Sequence, residues 1–539
     1  MYDFIIIGAG SAGCVLADRL SACGRYQVLL LEAGGSDKRF YVQMPIGYGK
    51  TYYQKAVNWM YTAQPSEGTQ GRLSYWPRGK VLGGSSSINA MVFVRGNKQD
   101  FDDWAAEGNP GWSYEEVLPY FKQMESWQGG ESPYRGANGP LKVSNPSHEL
   151  HPLCDNFVSA GQEMGLEFNP DMNAGNQEGI GFYQLTTHKG QRMSAARAYL
   201  WRARSRSNLT VIKHAHVTRL LMDGKRVTGV EYSRKGQVTK VHAQREVLLS
   251  AGSVNSPQIL MHSGIGPKKV LDQAGVTLLH HSPAVGQNLQ DHLGMDYLYT
   301  SHVSTLNQQL RPWYGKLWQG LVYLLTRKGP LSLSVNQAGG FMKTRDKLNY
   351  PNIQLYFSPV SYTRAPVGKR PLLNPDPFPA FLLGLSNCRP KSRGQITITS
   401  NNPLQAPHIE PNYLSHEDDV QDLLEGVKFL RKMAAMPSFA KVIAKELRPG
   451  PECQTDAQLI DDIRSYAWTV FHPTSTCRMG PDTEHNVVDH QLKVHGLDGL
   501  RIVDASIFPQ LICGNTSAAC MMIGEKAAAM ILAAEEGQV

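Results

Sequence analysis

The N-terminal stretch constrains the fold more than any other part of the chain. An apolar segment, Tyr2–Ile7, leads into the glycine-rich run Gly8-Ala9-Gly10-Ser11-Ala12-Gly13. In a strand–turn–helix unit the first glycine permits the tight turn, the second lets a pyrophosphate approach the backbone, and the third lets the helix pack on the strand. A second apolar segment, Val28–Leu31, ends in Glu32, where a carboxylate accepts hydrogen bonds from an adenosine ribose. We therefore predict a dinucleotide-binding domain at this end of the chain.

The length of the chain limits the number of domains it can form, and its charge limits the classes of partner it can bind. A chain of 539 residues is too long for one ordinary core, so we expect two domains, or one discontinuous nucleotide domain with a second domain inserted into it. The formal net charge of +8 is spread in short clusters such as Lys268-Lys269. Without a block of like charges we expect no nucleic-acid partner and a mildly basic surface, with weak attraction to anionic lipid left open.

The cysteines and the position of the first strand indicate the cellular compartment in which the protein is found. The eight cysteines include no Cys-x-x-Cys pair and no His/Cys cluster at metal spacing, so we predict neither a disulfide framework nor a metal site. The nucleotide strand starts at residue 2, and no uninterrupted apolar run reaches the roughly 18 residues that a membrane span requires. We expect a cytoplasmic protein, and a peripheral position on the inner face of the membrane is left open.

Two later segments have the composition of a nucleotide site. Residues 75–91 combine glycines and serines with basic residues and offer many backbone N–H and hydroxyl donors at close approach, with a surface turn as an equal alternative. In residues 245–260 another apolar strand enters a small-residue turn and a helix. Together with the N-terminal unit, and in this order along the chain, these two segments resemble the motifs of one known protein family.

The chain resembles the glucose–methanol–choline (GMC) oxidoreductases, FAD-dependent enzymes that oxidise alcohols. Residues 79–93 match the first family signature and residues 252–267 match the second. Residues 285–292, 472–480 and 503–506 then follow in the family's order, so that the resemblance spans nearly the whole chain. Within the family the chain is most similar to the branch of choline dehydrogenases, aliphatic alcohol dehydrogenases and sorbose dehydrogenases.

This resemblance implies an α/β fold in which a Rossmann-like FAD-binding domain accompanies a discontinuous α+β substrate-binding domain built on an antiparallel sheet. Residues 1–138, 191–299 and 468–539 are expected to form the FAD-binding domain, and residues 139–190 and 300–467 the substrate domain. The residues implied to contact FAD are Gly8, Gly10, Ser11, Ala12, Gly13, Glu32, Arg78, Gly79, Val81, Gly83, Gly84, Ser85, Asn89, Val217, Ala251, Asp504, Ala505, Asn515 and Thr516.

The implied chemistry removes a proton from an alcohol oxygen and a hydride from its carbon, the hydride passing to flavin N5. His472, which matches the catalytic histidine of the family, is the expected base, because a neutral imidazole accepts a proton near pH 7. Asn515 follows Gly514 at the start of an apolar helix and is expected to hold the substrate oxygen with an amide that does not titrate. A helix cap is the alternative role for this asparagine.

Departures from the family pattern refine these expectations. Relatives with covalently attached flavin carry a histidine where this chain has Ile88, so we expect non-covalent FAD. Choline-oxidising relatives are expected to hold the ammonium with a carboxylate at the position of Gln337, which is neutral here. We assign Gln337 and Phe471 to the substrate pocket and expect a neutral primary alcohol that is oxidised to an aldehyde.

The electron acceptor is left open by the residues. By resemblance we favour a dehydrogenase that passes electrons to a quinone or another carrier over an oxidase that reduces oxygen to hydrogen peroxide. Choline oxidation is a further alternative, as are the lyases and the light-driven decarboxylase that the same family contains. Two further alternatives are that the bound nucleotide is NAD, and that the chain is a flavin-binding module without catalytic activity.

Two features of the middle of the chain have no assigned role. Residues 313–325 form an amphipathic helical pattern with a wide apolar face, too short to span a bilayer. We expect this face to pack on the core, with an entrance helix that meets a membrane or an apolar substrate as the alternative. Residues 361–380 contain five prolines and no usable period, which predicts a loop, with a lid over the site as one role open to it.

Overall fold

The N-terminal strand lies at the centre of a seven-stranded sheet. The computed structural model describes residues 1–362 and 374–537. Tyr2–Ile7 pairs in parallel with Val28–Glu32 on one side and with the long strand Gln237–Leu249 on the other. Their apolar residues form continuous buried runs, as expected for parallel strands that are covered on both faces. The sheet is completed by the parallel strands Leu209–Lys213 and Leu500–Ile502 and the antiparallel strands His216–Asp223 and Arg226–Arg234.

Helices Ser11–Ser21 and Ser517–Glu535 pack side by side next to this sheet. Gly524 permits the approach, since a Cβ at this position would lie 3.0 Å from the carbonyl oxygen of Ala12. By length and composition alone, Ser517–Glu535 is able to cross a membrane. Its Glu525 is buried, however, and accepts hydrogen bonds from Arg19 at 2.7 Å and from the Tyr199 hydroxyl at 2.8 Å. The helix is therefore a core element of the nucleotide-binding unit.

The second large sheet is antiparallel and also has seven strands. Leu293–Ser301 and Ala380–Asn387 are central neighbours, and their buried side chains form a second core with helices Leu153–Glu163, Glu417–Ala434 and Asp456–Tyr466. The remaining strands of this sheet are Gly179–Phe182, Ala338–Met342, Ile353–Ser358, Ile443–Arg448 and Trp468–Thr469.

Shorter elements connect the two sheets. The other α-helices are Phe40–Gln43, Tyr48–Thr51, Lys98–Ala106, Tyr114–Met124, Trp201–Ala203, Gly252–His262, Lys268–Ala274, Leu306–Leu310, Trp313–Thr326 and Pro437–Ala440, with a π-helical turn at Ala196–Leu200. The 3₁₀ helices are Pro45–Gly47, Glu67–Thr69, Gly84–Ser87, Ser147–Glu149, Pro330–Ser332 and Ala505–Ile507. The short strands are Tyr61–Ala63, Ser74–Trp76, Glu125–Trp127, Leu141–Val143, Thr187–His188, Gln191–Arg192, Ile265–Gly266, His280–His281, Gln395–Thr397 and His408–Glu410.

The predicted fold class is confirmed: a Rossmann-like α/β unit is joined to an α+β unit built on an antiparallel sheet. Each large sheet takes strands from widely separated parts of the chain, because residues 2–32, 209–249 and 500–502 meet in one and residues 179–182 and 293–469 in the other. The predicted boundaries at residues 138, 190, 299 and 467 stay predictions. Of the predicted proline-rich loop, residues 363–373 lie outside the described part of the chain.

One prediction about packing is wrong. The apolar pattern of residues 313–325 does form a helix, Trp313–Thr326, but its apolar face does not pack on the core. In this helix only Gly315 and Tyr323 are buried, whereas Trp313, Trp318 and five other large apolar side chains are exposed. An amphipathic pattern divides a helix into two faces, and here the smaller one contacts the body of the protein.

Candidate active site

A cavity of about 910 Å³ lies between the two sheets. It begins at the carboxyl ends of parallel strands Tyr2–Ile7 and Val28–Glu32, the edge at which open α/β sheets bind ligands. It reaches the antiparallel sheet at Asp296, Tyr356 and Gly384. Its volume lies at the upper end of the range for cofactor and ligand sites, so there is room for a large cofactor together with a small substrate.

The nucleotide end of the cavity is shaped by glycines. Gly8 has φ +96°, and a Cβ there would lie 2.5 Å from the carbonyl oxygen of Ser250. The second glycine-rich loop touches the first, since a Cβ on Gly84 would lie 2.7 Å from the Cα of Gly10. No side chain caps the first turn of helix Ser11–Ser21. Ser11 and Ala12 of this turn line the cavity, so their N–H groups are placed to bind a pyrophosphate there.

Glu32 marks the adenosine side of this end. Its side chain is buried and accepts hydrogen bonds from the backbone N–H of Ala9 at 2.9 Å and of Gly34 at 2.6 Å. Burial raises the pKa of Glu32 to about 7, against the opposing effect of those two hydrogen bonds. The carboxylate is thus fixed on the cavity wall, where it fits a ribose hydroxyl.

Most of the predicted site residues meet at this one cavity. Its wall includes Gly8, Gly10, Ser11, Ala12, Glu32, Arg78, Gly79, Gly84, Ser85, Asn89, Val217, Ala251, Phe471, His472, Asp504, Ala505, Asn515 and Thr516. Asp504 also joins two turns, because it accepts hydrogen bonds from the backbone N–H groups of Gly252 and Ser506, both at 2.8 Å.

Four predicted residues do not line the cavity. Gly13 has the packing role expected of it, since a Cβ would lie 2.0 Å from the carbonyl oxygen of Gly8. Gly83 donates its N–H to the Ala9 carbonyl at 2.7 Å, and Val81 packs in a small apolar cluster. Gln337, predicted for the substrate pocket, is buried elsewhere and accepts the backbone N–H of His151 at 2.9 Å.

His472 stands in a chain of hydrogen bonds that fixes its tautomer. Its Nδ1 lies 3.0 Å from Nδ1 of His292, whose Nε2 lies 2.8 Å from the carbonyl oxygen of Cys388. A carbonyl only accepts, so His292 carries its proton on Nε2 and accepts at Nδ1. His472 must then donate from Nδ1, which leaves its Nε2 unprotonated. This Nε2 lone pair accepts from the side-chain NH₂ group of Asn515, whose nitrogen lies 3.2 Å away.

Both imidazoles are held neutral. Burial lowers the pKa of His472 well below its usual value, and the proximity of His292 and of the Arg78 guanidinium lowers it further. Burial also lowers the pKa of His292 to about 4. Near pH 7 the site therefore contains a neutral base with its lone pair directed at Asn515.

Asn515 is oriented by its own partner. The side-chain nitrogen of Gln354 lies 3.3 Å from Asn515 Oδ1, and Gln354 in turn accepts the Tyr356 hydroxyl at 2.7 Å. Because the amide oxygen of Asn515 is occupied in this way, its NH₂ group is directed toward His472. The structure records no side-chain cap for helix Ser517–Glu535, at whose start Asn515 lies. This geometry favours the substrate-binding role over the helix cap.

The loop that carries His472 is held in a conformation that its residues rarely adopt. Phe471 has φ +69°. Its carbonyl accepts a hydrogen bond from the Arg78 guanidinium at 2.6 Å, and the N–H of His472 donates to Asp291 Oδ1 at 2.7 Å. The other oxygen of Asp291 accepts hydroxyl hydrogen bonds from Tyr413 and Thr469. These contacts fix the base and offset a backbone strain of about 1–3 kcal/mol.

The far wall contains a residue that sequence reasoning missed. Asp296 lies on strand Leu293–Ser301, and its side chain lines the cavity. Gly384 on the paired strand leaves room for it, because a Cβ there would lie 2.5 Å from Asp296 Oδ1. The sequence signal that could have found it is the alternation along this strand, where Asp296 stands between the apolar residues Met295 and Tyr297.

The position at which some relatives attach flavin also lies on the cavity wall. Ile88 is 2% exposed and packs with Val42, Val57 and Val81. An alkyl side chain has no nucleophile, so no covalent link forms from this residue.

Comparison with known proteins identifies the family. Two family models, both described as GMC oxidoreductase, match residues 2–294 and 390–524. The chain belongs to the GMC oxidoreductases. An oxygen-dependent choline dehydrogenase of Photobacterium profundum is 43% identical and covers 98% of this chain and 93% of the relative. An alcohol dehydrogenase (acceptor) of Pseudomonas putida is 42% identical, with coverages of 99% and 96%.

Solved structures give the same result. A pyridoxine 4-oxidase from Mesorbium loti superposes with a TM-score of 0.88 at 32% identity and covers 98% of this chain and 99% of its own. A formate oxidase superposes with a TM-score of 0.92 at 26% identity, with coverages of 100% and 99%. The resemblance seen in the sequence is therefore confirmed, and the chain is an oxidoreductase with FAD as its cofactor. Its glycine turns, helix N-terminus and Glu32 fit the pyrophosphate and ribose of FAD.

Proposed function

We propose that this GMC oxidoreductase oxidises a primary alcohol to an aldehyde with His472 as the base. One observation carries the proposal: the unprotonated Nε2 of His472 lies 3.2 Å from the amide nitrogen of Asn515 on the cavity wall. An acceptor beside a donor binds both parts of one hydroxyl group, its proton and its oxygen. When bound, FAD supplies the atom that accepts the hydride from the alcohol carbon.

The protein itself holds and moves one proton. The alcohol hydroxyl donates to Nε2 of His472, which takes the proton, while Asn515 Nδ2 donates to the oxygen left behind. The Nδ1–H of His472 remains bonded to neutral His292, which stabilises the positive charge that forms on the ring. Because the pKa of His472 is well below its usual value, the ring then releases the proton and returns to the neutral form.

An anaerobic panel of alcohols, followed by the flavin absorbance of the holoenzyme, tests this function. We expect a primary alcohol to bleach the flavin and to yield one aldehyde per flavin reduced. The His472→Ala variant is the matched control and should bleach far more slowly. Conversion of a substrate without bleaching would favour the lyase or decarboxylase alternative, and failure of every alcohol would contradict the proposal.

We further propose that the electrons pass to a quinone or another carrier. The support is resemblance, together with the 42% identity to a relative whose name specifies an acceptor. The test starts from substrate-reduced enzyme and adds either a short-chain quinone or air. Fast reoxidation by quinone and slow reoxidation by air are expected, whereas fast reoxidation in air with one hydrogen peroxide per flavin would identify an oxidase.

A neutral primary alcohol is the proposed substrate class. Gln337, the original reason for this expectation, lies away from the cavity. The support now comes from apolar side chains on the wall, namely Leu293, Val335, Leu382, Leu385, Trp468 and Phe471. Each CH₂ that an alkyl substrate buries against them contributes about 0.8 kcal/mol to binding.

A cationic amino alcohol such as choline is the second candidate. It is favoured by the Asp296 carboxylate on the cavity wall and by the choline dehydrogenases among the relatives. The two candidate substrates are distinguished by measuring kcat/KM for choline and for a neutral alcohol. Both values are measured on wild type and on Asp296→Asn at one pH and ionic strength. For a choline enzyme the variant loses at least about tenfold on choline alone, since one charge–charge contact is removed. A neutral-alcohol enzyme shows poor choline turnover in both proteins.

We keep a cytoplasmic location as a proposal. The support is that all eight cysteines are free thiols, which a reducing compartment preserves. Fractionation of cells that express the chain, with and without a high-salt wash of the membranes, tests this location and separates soluble from peripheral protein.

A further inference from the structure

Exposed apolar side chains are concentrated on one helix. Among the described residues, eighteen large apolar side chains are exposed, and seven of them lie on helix Trp313–Thr326. Their exposed fractions run from 47% to 76%. We call this set the apolar face: Trp313, Tyr314, Leu317, Trp318, Leu321, Leu324 and Leu325.

The apolar face is a continuous stripe that the fold directs outward. At 100° per residue its seven side chains fall within an arc of about 140°. The opposite side of the helix is docked on the protein: Tyr323 is buried and donates its hydroxyl to the carbonyl of Gly190 at 3.1 Å. Gly315 lies so close to the preceding helix that a Cβ would be 2.3 Å from the carbonyl oxygen of Gln309. Because the inner side is fixed in this way, the helix cannot turn its apolar side chains inward.

Positive charge adjoins the apolar face. No Asp or Glu occurs between Asp296 and Asp346, whereas helix Trp313–Thr326 contains the exposed Lys316 and is followed by Arg327 and the exposed Lys328. The exposed Lys189 adjoins Gly190, the residue that receives the Tyr323 hydrogen bond. Exposed Phe40 extends the apolar surface, with its ring centroid 6.5 Å from that of Tyr323.

We propose that helix Trp313–Thr326 docks the enzyme on the surface of a bilayer that contains anionic phospholipid. Leucines with tryptophan and tyrosine on one side and lysines at the margin suit a helix that lies in the interface, where the rings sit among headgroups and the cations meet lipid phosphates. The 14 residues of the helix extend about 21 Å, less than the hydrocarbon thickness of about 30 Å, so the helix lies on the membrane and does not cross it.

Charge argues against a second copy of this chain as the occupant. A twofold dimer through this face would bring Lys316 and Lys328 of one copy toward the same residues of the other, without acidic partners in the segment. An anionic bilayer instead provides both an apolar interior and negative charge at the margin.

Docking would bring the cavity close to the membrane. Tyr323 belongs to a buried apolar cluster with Tyr48, Met91 and Val335, and these three residues also line the cavity. A substrate or acceptor that partitions into lipid would thus be concentrated near the cavity. The docking itself does not depend on which alcohol is oxidised.

Sedimentation of the holoenzyme with vesicles tests the proposal. The vesicles are phosphatidylcholine alone or phosphatidylcholine mixed with phosphatidylglycerol. Wild type should bind the mixed vesicles and bind the neutral ones more weakly. The triple variant Leu317→Gln, Trp318→Gln, Leu321→Gln should lose about 100-fold or more in partition, because three large apolar side chains no longer enter the interface. Lys316→Glu with Lys328→Glu should lose the preference for anionic vesicles and its sensitivity to salt.

A matched control carries three glutamines at exposed apolar positions elsewhere, Val238, Leu279 and Leu404, which are exposed to a similar degree. It should bind vesicles as wild type does. All variants should retain FAD and oxidise a water-soluble alcohol at the wild-type rate, which shows that they fold. Equal vesicle binding by the apolar-face triple variant and wild type would overturn the proposal. So would a wild-type protein that ignores vesicles and forms a dimer that the same triple variant dissociates.

Discussion

The tautomer of His472 depends on His292, and removing that partner is the most direct test of the site. In His292→Leu the buried Nδ1–H of His472 loses the acceptor that lies 3.0 Å away. An unpaired buried donor costs about 1–3 kcal/mol. That cost falls only on the tautomer that carries its proton on Nδ1, so the ring shifts toward the other tautomer, in which Nε2 is protonated and cannot accept from the alcohol.

The rate follows from this free energy. At about 1.36 kcal/mol per tenfold, the tautomer equilibrium shifts by roughly 5- to 150-fold, and the rate of flavin reduction should fall by up to the same factor. The assay is anaerobic stopped-flow reduction of the flavin by saturating alcohol, with the bound FAD measured beforehand. Saturation separates this effect from weaker substrate binding.

His292→Gln is the matched variant. Its amide oxygen accepts from His472 while its NH₂ group donates to the Cys388 carbonyl, so that both contacts of the imidazole have a substitute. The glutamine variant should therefore retain most of the reduction rate that the leucine variant loses. Equal rates in His292→Leu and wild type would refute the tautomer argument, and equal damage in both variants would show that size or shape is what matters.

Four further predictions concern the same cavity. His472→Ala should keep FAD and slow flavin reduction by about 100-fold or more, and Asn515→Ala by about 10- to 1000-fold; stopped-flow rates at the wild-type level would contradict these roles. Acid precipitation should release all flavin into the supernatant, since Ile88 forms no bond, and a coloured pellet would reveal another link. The free energy of unfolding should fall from pH 6.5 toward pH 4, by about 1.4 kcal/mol per pH unit for each histidine held neutral, because the unfolded chain binds the extra proton. His292, with its pKa lowered to about 4, is one of them. Glu32, with its pKa raised to about 7, acts in the opposite direction, so the quantity to measure is the difference between wild type and His292→Gln.

The parts of the site that were predictable from the sequence are those set by local geometry or by a motif. The turn from Gly8 to Gly13 needs glycine for reasons internal to one strand–turn–helix unit, and Glu32 ends the next strand. His472 and Asn515 were predicted because each lies in a recognisable family segment. Their contact at 3.2 Å joins residues 43 positions apart, and only the packed fold produces it.

The errors arose where a side chain's direction depends on tertiary packing. Asn336 lines the cavity, whereas the next residue, Gln337, turns to His151. Adjacent residues in an extended chain point to opposite sides, so an error of one position exchanges a pocket residue for a core residue. Helix Trp313–Thr326 was misread for a related reason: the pattern distinguishes two faces, and only the contact through Tyr323 determines which one meets the protein.

The electrostatics of the cavity keep His472, the proposed base, neutral before the alcohol arrives. Arg78 is a partly buried cation on the cavity wall, and its charge lowers the pKa of His472. The N-terminus of helix Ser517–Glu535 adds a partial positive charge beside Asn515. A positive potential at this place disfavours a charged imidazole in the resting site and favours negative charge on the alcohol oxygen. The same groups therefore keep the proposed base free of a proton in the resting site and stabilise the negative charge that develops on the alcohol oxygen.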